Sequence, residues 1–295
     1  MNISIIIPAY NSDKILRRTL KRLLSGIDAR VLEVILVDSS EDKQPIVKLV
    51  RGLNNHKVKV IHSGTKVIPA ISRNVGAREA KGDLLVFIDS DVYPGKPWLT
   101  EIIEAYNEGY AAGGGSVYIA VSQKNNLLAI AQLYLQFNEY LPYGKPRVKP
   151  FLPSCNLFCR RDIFEQIGGF PEIRASEDVL FGLKLSKTEK YYFLPKAVVY
   201  HVFRTGWRDF MRNQHLLGKY IFIYRKRHYK NIIYMSWISI LGIPVVFMYK
   251  YIKMLVTVLR AGFIESLRFV IATPVIFTGL FSWCSGYIEG CLYGE

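Results

Sequence analysis

The chain has 295 residues, half of them hydrophobic, with 39 Lys and Arg against 24 Asp and Glu. That length buries a real core and argues against disorder, while a slightly positive mean hydropathy is high for a protein that meets only water. Beyond position 230 four basic residues face three acids, so about +14 of the +15 formal charge falls on residues 1–230, a surplus that favours a phosphate-rich partner such as a nucleotide, a nucleic acid or an anionic membrane face.

Residues 3–7 read as a first strand, and Asn11 or Ser12 can cap the helix that follows, where Ile15, Leu16, Leu20, Leu23 and Leu24 repeat at helical spacing. A second strand, VLEVILVD, ends at Asp38. A short helix near residues 45–53 leads to a third strand, VKVIHS, and a helix over about 69–80 leads to a fourth, LLVFI, which delivers Asp89 and Asp91. This alternation predicts a parallel sheet covered by helices. In such sheets ligands gather at the carboxyl ends of the strands, where residues 8–11, Asp38 and residues 89–91 all lie. No G-x-G-x-x-G follows the first strand, so dinucleotide binding is not indicated, and GGGS at 113–116 reads as a flexible joint or a close-packed strand start.

After residue 110 the pattern is mixed. A strand, AAGGGSVYIAV, precedes an amphipathic helix through about 140 and a Pro- and Lys-rich loop, LPYGKPRVKPFLP, that reads as a candidate lid; SCNLFCRRDIF, IGGFPE, SEDVLFGLKL and a strand KAVVYHVF follow. Residues 231–249 and 269–288 are uncharged, each about long enough to cross a bilayer core of ~30 Å. Gly242, Pro244, Pro274 and Gly279 could break both, so two spans and a hairpin in one leaflet both stand. Arg225, Lys226, Arg227 and Lys230 precede the first segment, and Lys250, Lys253, Arg260 and Arg268 separate the two, which leaves orientation ambiguous. Cys155, Cys159, Cys284 and Cys291 lack the paired spacing of a zinc site and read as reduced thiols. MNISIIIPAYN has no basic n-region, so no signal peptide is expected.

Asp89 and Asp91, spaced i, i+2 at the end of a buried strand, point the same way if the strand continues. They can share one hard cation or split between a metal and a ribose; a solvated turn is the plain alternative. Arg73, on the preceding helix, suits a phosphate or sugar contact, with a surface ion pair as its alternative.

Taken in order, IIIPAYN, a strand ending LVDSS, RNVGAREAKGDLLVFIDSD, CNLFCRRDIFEQIGGFPE and SEDVLFGLKL resemble the family 2 glycosyltransferases of the GT-A fold over roughly residues 3–205. The resemblance implies an α/β fold of the GT-A, nucleotide-diphospho-sugar transferase type, with a mostly parallel central sheet and flanking helices. It also implies an enzyme that moves a sugar from a nucleotide-diphosphate donor, a UDP- or GDP-sugar, to an acceptor hydroxyl with inversion at the anomeric carbon. By that similarity Pro8, Ala9, Tyr10 and Asp38 line the nucleoside pocket, with Asn11, Ser40, Arg73, Ser90 and Glu177 completing the donor site. Asp89 and Asp91 form the D-x-D, Asp91 being the ligand of a divalent metal, Mn²⁺ or Mg²⁺, with His201 after the strand AVVYHV as a further ligand. Asp178 is the implied base, and an inverting transfer does need one carboxylate to take the proton of the attacking hydroxyl. Ser176 can cap the helix that holds Glu177 and Asp178, where acids also serve the helix dipole.

The acidic loop that usually follows the second strand has a second Asp and a Gly, replaced here by Ser39 and Ser40, and the Q-x-x-R-W pattern of processive synthases is absent. The expectation is therefore a catalytic region at 1–229 that adds one sugar to a lipid-linked or glycan acceptor near the membrane. Residues 230–295 form a hydrophobic helical hairpin at the cell membrane, and the catalytic region faces the cytoplasm. A polyprenyl-phosphate acceptor and a non-catalytic nucleotide-sugar-binding scaffold are the alternatives. Nucleic acid is not an expected partner, since no recognition-helix or RNP-type motif is present.

Overall fold

The computed structural model describes residues 1–228 and 236–293. Along the chain the elements are β1 (Ile3–Ala9), α1 (Asp13–Leu24), β2 (Val31–Asp38), α2 (Gln44–Arg51), β3 (Val58–His62), α3 (Pro69–Glu79), β4 (Leu84–Ile88), β5 (Val92–Pro94), α4 (Trp98–Asn107), β6 (Ala112–Ile119), α5 (Leu127–Phe137), β7 (Arg147–Val148), β8 (Asn156–Arg160), α6 (Arg161–Gln166), α7 (Glu177–Leu185), β9 (Tyr191–His201), α8 (Trp207–His228), α9 (Ser236–Leu241), α10 (Ile243–Ala261) and α11 (Phe263–Tyr293). Two compact units result: residues 1–117 with 142–201, and residues 118–141 with 202–295.

The sheet runs β3-β2-β1-β4-β8-β6-β9-β5, with β7 added to β9. β3, β2, β1 and β4 pair in parallel; β8 is antiparallel to β4 and β6, and β9 to β5 and β7. The sheet is thus mixed rather than mostly parallel. The parallel half has the strand type expected of strands covered on both faces: β1 and β4 are buried at every position.

The GGG run lies inside β6 and is the close-packed strand start, since a Cβ on Gly115 would stand 1.8 Å from the carbonyl oxygen of Ala197 on β9. Asn156 fixes the same region. It accepts from the Trp98 indole at 2.8 Å and donates to the carbonyls of Ser116 and Ala197 at 2.9 and 2.8 Å. The Pro- and Lys-rich loop expected as a lid is stitched to the sheet: β7 pairs with β9, Lys149 N–H donates to the Tyr191 carbonyl at 2.8 Å, and the Arg147 guanidinium lies 4.5 Å from the Phe193 ring centre.

In the second unit α11 packs along α8 at backbone range: a Cβ on Gly286 would come within 1.8 Å of the His215 carbonyl oxygen, and one on Gly218 within 1.9 Å of that of Trp283. Tyr118 and Tyr134 both donate to the Glu265 carboxylate, with Arg268 beside it, which pins the start of α11. The first of the two uncharged segments is not one helix. Residues 231–235 lie outside the described residues, and Gly242 separates α9 from α10, with Pro244 in the first turn of α10. The second continues through Pro274 as part of α11. Among the described residues α11 is the one helix long and apolar enough to cross a membrane, although 44% of its most apolar stretch is buried inside the protein.

Candidate functional site

The carboxyl ends of three neighbouring parallel strands deliver the first set of residues. Pro8 and Ala9 end β1, buried, with Ala9 in register with Asp38 at the end of β2. Asp38 is fully buried, and its carboxylate is consumed by the protein. One oxygen accepts from the Ser40 N–H and hydroxyl at 3.0 and 2.6 Å, and the other lies 3.2 Å from His62 Nδ1. Ser40 Oγ in turn accepts the Asn11 N–H at 2.8 Å, where Asn11 takes a left-handed turn at φ 47°. Tyr10 is exposed, with Lys66 Nζ 4.4 Å from its ring centre.

The second set gathers around Arg73 of α3, which is 2% exposed. Its guanidinium donates to Asp89 at 2.6 Å, just past β4, and to Glu177 at 2.9 Å, in the first turn of α7. Ser154 Oγ also donates to Glu177, at 3.3 Å. The α7 entry is unusual: Ser176 precedes it at φ 67° and makes no side-chain cap, a conformation that costs a non-glycine residue roughly 1–2 kcal/mol. The expected side-chain cap is replaced by this turn.

The electrostatics follow from burial. Desolvation works against the Arg73 charge, but Asp89 and Glu177 overcome it and hold the guanidinium well above its ordinary range. Asp178 stands half-buried next to the Glu177 charge. Its own desolvation, then that neighbour, push its carboxyl up to about 7, against the opposing pull of the Val179 N–H and Arg73. Cys155, fully enclosed beside Asp89 and Asp91, has its thiol raised well above the usual range, first by burial and then by those acids.

Ser90 is held through its carbonyl, which accepts from Thr19 Oγ1 at 2.9 Å. Asp91 and His201 meet because β5 pairs antiparallel with β9, setting Val92 opposite His201; Asp91 Oδ1 lies 3.8 Å from His201 Nε2. Among the described residues no set of three His, Cys, Asp or Glu is grouped for a cation. A carboxylate and an imidazole are nevertheless donors that accept a divalent ion. A two-donor protein set leaves the other positions to phosphate oxygens and water, as Mg²⁺ sites at substrate phosphates do. The donor set fits.

The structure therefore brings Arg73, Asp89 and Glu177 into direct contact, sets Asp178 beside them and Asp91 beside His201, and joins Asn11, Ser40 and Asp38 in a separate chain of hydrogen bonds. His62, Lys66, Thr19 and Ser154 were not singled out from the sequence. For His62 the signal was available: it ends the third strand as Asp38 ends the second, and the two are parallel partners.

Comparison with known proteins adds to this geometry. The model of glycosyl transferase family 2 matches residues 4–168. The chain is 26% identical over 227 residues to a pre-mycofactocin glycosyltransferase of Mycobacterium tuberculosis, covering 74% of this chain and 46% of that one. It is 27% identical over 189 residues to a dolichol-phosphate mannosyltransferase of Pyrococcus furiosus, covering 63% and 49%. The chain thus spans about half the length of these relatives. Among solved structures, the mannosyltransferase PcManGT of Pyrobaculum calidifontis, in complex with GDP-Man and Mn²⁺, superposes with a TM-score of 0.62 at 14% identity, covering 100% of this chain and 88% of that one.

Proposed function

From its membership of glycosyl transferase family 2, to which the matched residues 4–168 assign the chain, we propose that the protein is an inverting glycosyltransferase. It moves one sugar from a UDP- or GDP-sugar to a hydroxyl of a lipid-linked or glycan acceptor at the membrane. The observation that carries this reading is the Arg73 bridge, which ties Asp89 of the strand-end acid pair to Glu177, the neighbour of Asp178.

In this reading Asp178 is the base. A carboxyl near neutrality is matched to taking a proton from an alcohol and releasing it afterwards. Arg73 holds Asp89 and Glu177 in fixed, charged positions on either side of the reacting centre. Asp91 and His201 hold the divalent cation, which when bound supplies positive charge beside the departing diphosphate. Tyr10 and Lys66 offer an aromatic face and a cation to the nucleoside end of the donor, while Asp38 shapes the 39–40 loop. Residues 1–229 are the catalytic region and 230–295 the hydrophobic region by which the enzyme meets its acceptor, the catalytic region facing the cytoplasm. Transfer to a polyprenyl phosphate is a second reading, favoured by the similarity to the dolichol-phosphate mannosyltransferase.

The test is a thermal-shift screen of UDP- and GDP-sugars with and without Mn²⁺, followed by transfer of the radiolabelled sugar to polyprenyl phosphate or to a lipid-linked glycan. Metal-dependent stabilisation by one donor, with turnover on the glycan, supports the reading. Turnover only on the lipid phosphate selects the second one. Donor binding without turnover on either acceptor removes both.

A further inference from the structure

Helix α10 has two faces of opposite fate. On one side Ile243, Val246 and Phe247 pack against the core formed by α8 and α11, and Met254 and Val258 are buried. On the other side Val245, Met248, Tyr249, Ile252, Val256 and Leu259 recur at spacings of three and four and are all exposed, from 40% at Val256 to 72% at Val245. The stripe continues into the first turn of α11, where Phe263 is 81% exposed. A ladder of this length exceeds the apolar patch that a soluble monomer leaves to water.

The charge around it identifies the occupant. Between residues 210 and 264 there are nine Lys and Arg and no Asp or Glu. Glu289 pairs with Lys219 and Glu139 with Lys253, and the stretch with these two acids counted stays strongly positive, complementing an anionic surface. At helical spacing Lys253 and Arg260 fall along one border of the α10 stripe. A protein partner would have to match an apolar stripe and a net positive field together; an anionic lipid leaflet presents both an acyl layer and phosphates.

The packing also fixes the mode. α10 runs beside α11, with Phe247 on Phe277 and Phe281 and Tyr251 on Phe277 and Phe269, so the two share one orientation. The opposite side of α11 is committed to α8, where Glu289 pairs with His215 and Lys219. A crossing by residues 269–288 would set the Glu289 cluster at the edge of the acyl region and carry Lys250 of α10, whose Nζ lies 4.2 Å from the Trp283 ring centre, into it at a cost of several kcal/mol. We propose that the α10–α11 pair lies in the plane of one anionic membrane leaflet, with the α10 stripe sunk to the acyl boundary, as a one-leaflet anchor rather than a span. This deepens the membrane part of the proposed function and rests on it for the location of the acceptor.

The full chain should float with vesicles of phosphatidylcholine and phosphatidylglycerol at 7:3, less with phosphatidylcholine alone, and less in 0.5 M than in 0.1 M NaCl. The double variant Ile252→Glu, Val256→Glu should lose partitioning on the order of 100-fold while keeping its unfolding midpoint, because both side chains are exposed. Depth is read separately. The native cysteines are all buried, so Val245→Cys, Ile252→Cys and Leu259→Cys can each carry an environment-sensitive dye, quenched by lipids brominated at two depths. In-plane binding puts the three dyes at one shallow depth, whereas a span separates the first and last by about 21 Å. A depth gradient overturns the proposal. So does flotation unaffected by the double variant, or a dimer in solution that the double variant dissociates without any vesicle binding. Donor binding separates the two readings: flotation without donor stabilisation removes the transferase assignment, and donor stabilisation without flotation removes this one.

Discussion

Replacing Asp178 with Asn keeps the size of the side chain and the oxygen that accepts the Val179 N–H at 2.8 Å, and removes only the ability to ionise. In the folded protein this carboxyl is pushed from 3.8 up to about 7 by burial and by Glu177. The fold therefore keeps a proton that the unfolded chain gives up. The contribution to stability is whole below the unfolded value near 4 and is lost as pH rises through about 7. At 1.36 kcal/mol per pH unit, the interval from 3.8 to about 7 sets a ceiling of about 4 kcal/mol, and water reaching the half-buried side chain brings the expected figure to about 2 kcal/mol. Asp178→Asn should thus be more stable than the native protein by about that amount at pH 8, in urea unfolding, with the gap closing toward pH 4. The same variant should lose on the order of 10²- to 10⁴-fold in transfer, and native transfer should rise as pH passes through about 7. A variant that is less stable at pH 8, or a gap of equal size at pH 4 and pH 8, would refute the argument that the site stores this strain for proton transfer.

Arg73→Met should cost about 3 kcal/mol in urea unfolding, because it leaves Asp89 and Glu177 facing each other across a site without their counter-ion; Arg73→Lys should recover only part of this, since an ammonium cannot span both acids as the planar fork does. Asp91→Ala and His201→Ala should each abolish the Mn²⁺-dependent part of the donor's stabilisation, which at a hundredfold excess over Kd is about 2.7 kcal/mol in all; an unchanged shift in the presence of metal would remove that pair as its holder. Gly115→Ala should lower stability by about 1–3 kcal/mol in the same unfolding assay, from the 1.8 Å approach to Ala197.

The parallel half of the fold was readable because each of its strands carries its own evidence. Leu84 to Ile88 is an unbroken apolar run that stops at acids, and such a run has few other places to go than a sheet covered on both faces. The antiparallel half was not readable in this way. Strand direction in β8, β6 and β9 is decided by long-range partners, among them Asn156, whose three hydrogen bonds come from sites 58, 40 and 41 residues away. The same limit applies to the site. Asp89, Asp91 and Asp178 could be picked out by type and position, but Arg73 as the common counter-ion of Asp89 and Glu177 depends on a contact 104 residues long. Asp38 was placed in the nucleoside pocket by similarity, whereas burial and its bonds to Ser40 and His62 are tertiary facts. In the hydrophobic region the sequence showed two long uncharged runs and their Gly and Pro residues, but only tertiary structure decides that the first run divides at Gly242 while the second continues through Pro274, and that the exposed side of α10 is a stripe.

The three glycines of β6 set a clearance that extends beyond their own strand. Because Gly115 lets the backbone of β9 come within touching distance, the position of that strand is governed by the absence of a methyl group, and β9 ends four residues beyond Ala197 at His201. The alignment of an imidazole with Asp91 is therefore calibrated from a place where no functional group exists. A search for mutations that spoil the chemistry should include this silent stretch of main chain, where a single added carbon would act like a shim under the wrong leg of an instrument.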